Sequence, residues 1–114
     1  MPTKLDTDDL LAQYAEAARG TDTLDPEINN KWADKLHRCY KQLRTTEEGR
    51  NGISRLIADP NPHVRAWAAA HTLMWAPEIA RPALEELRDS DGPCSFDAKW
   101  TLIEFDKGAL SYDN

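Results

Sequence analysis

The sequence predicts an all-α protein of about six helices, joined by short loops into about three antiparallel pairs. Three observations carry this. Apolar residues recur at helical spacing in every segment, the breaks between segments hold cap and turn residues, and no stretch alternates polar and apolar as a strand does. The chain has 114 residues, of which 40% are hydrophobic and 30% charged. That is a globular composition of one-domain size, and we read 1–114 as a single helical domain.

The elements follow in order. "TDDLLAQYAEAARG" places Thr7 as N-cap, with Asp8 and Asp9 at the positive end of the helix. Leu10, Leu11, Tyr14, Ala15 and Ala18 form its stripe, and Gly20 is the expected stop. "DPEINNKWADKLHRCYKQL" starts with Asp25 as cap and Pro26 at the first helical position, where a missing N–H costs nothing. Ile28, Trp32, Leu36, Cys39 and Leu43 fall on its inner face.

"TTEEGRNGISRLIADP" opens with Thr45 and Glu48 at capping-box spacing. Ile53, Leu56 and Ile57 turn inward. Gly49 and Gly52 each weaken a helix by about 1 kcal/mol relative to alanine, which points to close packing or an irregular first turn. Asp59-Pro60 ends the segment. "NPHVRAWAAAHTL" then starts with Asn61 as cap and Pro62 behind it. Its apolar residues run nearly all round, so burial on more than one side is expected, with alanines letting two neighbours approach at once.

Pro77 begins a fifth helix with Ile79, Ala83, Leu84 and Leu87 inward and Pro82 as an expected kink or restart. After the turn cluster "DSDGPCS", Ser95 is the expected cap of a sixth helix. Ala98, Leu102 and Phe105 form its stripe, Trp100 and Ile103 lie beside it, and Gly108 closes it. The tail "ALSYDN" is expected to be loose unless Leu110 and Tyr112 dock.

The net charge is −6, and residues 78–114 hold 9 acids against 4 bases. Phosphate backbones are gripped by Lys and Arg, so this balance argues against nucleic-acid binding and favours a basic protein partner. The two cysteines, Cys39 and Cys94, form no metal-ligand spacing. The opening "MPTKLDTDDL" has no apolar leader, and no apolar run approaches a membrane span. A cytoplasmic location with reduced thiols is expected.

The helices read as pairs: first with second, third with fourth, fifth with sixth. Val64 and Phe96, 32 residues apart, open equivalent helices, a period within the range of helical-pair repeats. "LIADPNPHVRAWAA" resembles the HEAT-repeat signature, in which an Asp-Pro turn leads to Val-Arg and then small residues. More widely, "DPNPHVRAWAAAHTLMWAPEIARPALEEL", a glycine-containing loop and "SFDAKWTLIEFDKGAL" resemble a small bacterial family of HEAT-like domains of unknown function. The resemblance spans about residues 50–110. Where that family carries a tryptophan, then a basic residue and glycine, this chain has Phe105, Lys107 and Gly108. The resemblance implies a HEAT-like αα-superhelix. Such families include proposed immunity proteins, encoded beside secreted toxins of interbacterial competition.

Catalytic and metal chemistry find little footing in the sequence. Arg65 invites a reading as an anion binder, but the resemblance to HEAT-like repeats implies that it ties its helix start to a neighbouring turn, with Asp59 as a ready partner. His63 and His71 lie eight residues apart, too far to chelate one metal as an i, i+4 pair does. His71 is expected in the core and His63 exposed. There is no nucleophile elbow, phosphate loop or HExxH, so no catalytic residue, metal or cofactor is expected. Some HEAT-like proteins are DNA glycosylases that use tryptophans and an aspartate in a basic groove, and the net charge argues against that reading.

A surface remains. The candidate partner-binding residues are Trp67, Trp75 and Trp100, ringed by Glu85, Glu86, Asp89, Asp91, Asp97, Glu104 and Asp106. The expected function is a non-enzymatic immunity protein that occludes one protein partner, a basic toxin domain. A HEAT-like scaffold or adaptor without inhibitory role is the alternative.

Overall fold

Six α-helices follow one another in the computed structural model, which describes residues 6–112. They are α1 (Thr7–Gly20), α2 (Pro26–Leu43), α3 (Glu47–Arg55), α4 (Pro62–Thr72), α5 (Pro77–Asp89) and α6 (Ser95–Asp106). A 3₁₀ turn, Leu56–Ala58, follows α3, and no strand occurs among the described residues. The chain forms two compact units, the first ending at Ile53 and the second starting at Ser54.

In the first unit α1 packs along α2. Tyr14, Ala17 and Ala18 of α1 and Leu36, Tyr40 and Leu43 of α2 are buried. The N-cap of α1 is Asp6, one residue before the expected Thr7, and its carboxylate accepts from the Asp8 N–H. Asp25 caps α2 as expected, accepting from Glu27 N at 2.9 Å and Ile28 N at 3.3 Å. Ile28 does not reach the core: it is 46% exposed, because the inner stripe begins only at Trp32.

Gly20 does not stop α1 by a left-handed turn. Among the described residues only Gly108 has positive φ. At Gly20 the Trp32 indole lies where a Cβ would stand, so the need is for space. The cap of α3 is Thr46, whose hydroxyl accepts from Gly49 N at 3.0 Å. Thr45 instead donates to the Gln42 carbonyl at 2.7 Å. Gly49 and Gly52 mark close packing: a Cβ at Gly49 would overlap the Leu43 carbonyl, and one at Gly52 the Leu11 side chain.

In the second unit α5 packs against both α4 and α6, and the 3₁₀ turn packs on α4. Asn61 caps α4, accepting from His63 N at 2.9 Å and Val64 N at 3.3 Å. Ala68 through Leu73 are buried without interruption, so α4 is enclosed on several sides. Small alanines permit this, because they add no bulk between helix backbones. Ala69, Leu73, Ala80, Leu84, Ala98 and Leu102 form the centre of one apolar cluster. Burying a side chain the size of Leu84 contributes about 1.5–3 kcal/mol.

α5 runs unbroken through Pro82, which is exposed, so the expected restart does not occur. Ala80 takes the inward position expected of Ile79, which is 52% exposed. Ser95 does not cap α6; its hydroxyl donates to the Arg88 carbonyl at 2.7 Å and ties the helix start to α5. The tail docks: Leu110 packs against the apolar cluster, and the Tyr112 ring meets His71 edge-on at 4.7 Å. No helix among the described residues is long and apolar enough to cross a membrane.

Candidate functional site

α6 carries apolar residues on two opposite faces. Ala98 and Leu102 are buried, with Phe105 half-buried beside them. Phe96 and Trp100, one turn apart, face the other way and are 67% and 45% exposed. Their rings meet edge-on with centroids 5.9 Å apart. Asp97 and Glu104, two turns apart, share the flank beside this pair, and Lys99 lies on the opposite flank.

Several contacts fix the helix that presents the pair. Arg81 of α5 reaches Asp106, and its guanidinium lies 5.7 Å from the Phe105 ring centroid. The far end closes on Gly108 at φ 72°. Gly108 N donates to Phe105 O at 3.0 Å and Ala109 N to Glu104 O at 2.9 Å, the two bonds of a Schellman motif.

The structure separates the three tryptophans read as one surface. Trp75 is half-buried in the turn after α4, and its indole N–H donates to Ser54 Oγ at 3.1 Å. That hydroxyl also lies 3.2 Å from Thr72 Oγ1. Trp67 is half-buried with its ring 5.7 Å from that of fully buried His71. Trp100 alone of the three is exposed. Phe96 joins it, a residue the sequence reading placed only at a helix start. Its signal was an i, i+4 relation to Trp100 on the side away from Ala98 and Leu102.

The acids also divide. Glu85 pairs with Arg81 at 4.0 Å, Asp106 pairs with the same arginine, and Asp89 pairs with Arg88 at 2.9 Å. The Arg88 hydrogen bonds hold the Asp89 carboxyl below the usual carboxylate range. Glu86, Asp91, Asp97 and Glu104 enter no ion pair among the described residues, and all but half-buried Glu104 are exposed. Arg81 and Arg88 thus offset Glu85, Asp89 and Asp106, while Glu86 of α5 and the carboxylates beside Trp100 enter no such pair among the described residues.

No family model matches the chain, and comparison with curated proteins and with solved structures likewise finds no match.

The residues considered for chemistry sit as follows. Arg65 donates to the backbone carbonyls of Asp59 at 3.4 Å and Pro60 at 3.2 Å, so it holds the turn through the main chain. The Asp59 carboxylate, its expected partner, accepts from Asn61 N at 2.9 Å instead. His63 is half-buried rather than exposed, with Nδ1 3.6 Å from Cys94 Sγ. Cys94 is part of the apolar cluster. Both cysteines are buried and neither is in a disulfide, and burial pushes the Cys39 thiol above its usual pKa, partly offset by Lys35 and Arg38. Among the described residues, no group of three or more His, Cys, Asp or Glu is placed to hold a metal ion.

Proposed function

We propose that the chain is a non-enzymatic protein-binding domain whose contact surface is the outer face of α6, centred on Phe96 and Trp100. The exposure of this stacked pair, on a helix whose other face is already committed to the core, carries the reading. Large aromatics anchor protein interfaces because they bury much area at little conformational cost. Unpaired Asp97 and Glu104 beside them suit a basic partner and steer its approach.

The resemblance of residues 50–110 to the HEAT-like bacterial family extends this proposal. The partner is then a toxin domain, bound in the cytoplasm, and inhibition follows from occlusion of its basic catalytic cleft. A pull-down with tagged wild type and with Phe96→Ala/Trp100→Ala tests both levels. The expected result is one stoichiometric partner for wild type, greatly reduced for the variant, whose activity falls when the wild-type chain is added. Equal capture by the variant overturns the α6 surface. Capture without inhibition replaces the immunity role by that of a scaffold.

A further inference from the structure

In an acidic chain, α2 presents a basic face. Ile28, Lys31, Trp32, Asp34, Lys35 and Arg38 line an open cleft of about 460 Å³. Lys31 and Arg38 are exposed and enter no ion pair among the described residues. Lys35 is held: it reaches Glu16 at 3.4 Å and lies 5.5 Å from the Trp32 ring centroid. The face therefore has exposed Ile28 at its apolar centre, beside half-buried Trp32, whose indole also packs on Gly20, and a flank that carries Lys31 and Arg38 with exposed Asp34 between them.

The outer face of α6 has the opposite pattern: an apolar centre, Phe96 and Trp100, and an anionic edge, Asp97 and Glu104. The spacings agree. Lys31 and Arg38 are two helical turns apart, as are Asp97 and Glu104, and each separation corresponds to about 10.5 Å along a helix. Handedness adds a condition. Viewed from its N-terminus, the cationic edge of α2 lies anticlockwise of its apolar centre, and the anionic edge of α6 lies clockwise of its own. Two such faces match when the helices run side by side in the same direction, which puts Lys31 opposite Asp97 and Arg38 opposite Glu104. Lys99 then stands on the opposite flank of α6, and Asp34 lies on the flank of Lys31 and Arg38, farther from the apolar centre than either.

We propose that α2 of one copy docks on α6 of a second copy. The inference rests on the reading of α6 as a recognition surface, and it adds a regulation: a protein partner must displace a neighbouring copy from Trp100. The contact joins unlike faces, so association continues beyond two copies unless a ring closes.

Sedimentation velocity of the pure full-length chain tests this. At about 0.01 M salt, where the Debye length is ~30 Å, the sedimentation coefficient is expected to rise with protein concentration. At about 1 M salt, with a Debye length of ~3 Å, the dissociation constant should rise by roughly 10-fold or more. Lys31→Glu/Arg38→Glu and Asp97→Lys/Glu104→Lys should each sediment as monomers. Their mixture should associate again, and that rescue also shows that both variants are folded. A wild-type chain that stays monomeric at low salt overturns the proposal. So does association that ignores salt or persists in the first variant. Partner capture is read from a lysate and self-association from the pure chain, so failure of one is distinguishable from failure of the other.

Discussion

The indole N–H of Trp75 donates to the hydroxyl of Ser54, 21 residues earlier, across 3.1 Å. The bond holds the turn after α4 against the start of the second unit. Ser54→Ala removes the acceptor and is expected to cost about 1 kcal/mol. A lower urea midpoint with an unchanged slope, together with altered tryptophan emission, would report it.

Gly49→Ala sets helix propensity against packing. Alanine gains about 1 kcal/mol of intrinsic helix preference over glycine. The added Cβ would overlap the Leu43 carbonyl, a backbone group that cannot swing aside. We expect a net loss of about 1–3 kcal/mol, read from thermal or urea unfolding. Stabilisation by this substitution would contradict the observed approach of α3 to the end of α2.

Gly108→Ala tests conformation alone, because nothing lies within 4 Å of the position a Cβ would take. At φ 72° the L-residue penalty is about 1 kcal/mol. The Schellman motif should loosen, and Tyr112 should leave His71, visible as changed tyrosine and histidine ring resonances in NMR spectra.

Burial raises the Cys39 thiol pKa in the folded chain, so folding favours the protonated form. That contribution is fully present below the unfolded thiol pKa of about 8.5 and is lost as pH rises through the folded value. Between about pH 7 and pH 10 the wild type should lose more stability than Cys39→Ala does, compared by urea midpoints. Equal losses would mean that Cys39 does not carry the alkaline dependence.

Charge reversal should separate acids that face a partner from acids engaged with arginines. Glu86→Lys/Asp97→Lys/Glu104→Lys is expected to slow partner association, most strongly at low salt. Asp89→Asn, which only releases Arg88, should leave the association rate unchanged in the same stopped-flow measurement.

Helix beginnings were legible where one side chain has one task. Asp25-Pro26 and Asn61-Pro62 each supply a carboxylate or amide oxygen for the first free N–H groups, followed by a residue that has none to satisfy. Thr45 and Thr46 defeat the same logic. Either hydroxyl could cap α3, and the choice depends on where α2 ends against Gly49, a tertiary fact. Apolar spacing also overreached at helix ends. Ile28 and Ile79 lie within the first turn or so of their helices, where the neighbouring helix does not cover them. The candidate surface was half legible. Trp100 was singled out and Phe96 was not, because α6 has apolar residues on both faces and periodicity alone does not say which face meets the core. Ion pairing of Asp89 and Asp106 required knowing where Arg88 and Arg81 point.

The uninterrupted burial from Ala68 to Leu73 gives the second unit an internal clock. Amides enclosed on several sides swap hydrogen for deuterium only when the surrounding helices separate together, whereas those near frayed ends exchange by local opening. Mass spectrometry of a peptide covering this stretch would therefore read the opening free energy of the second unit by itself, from the intact chain, without unfolding the first.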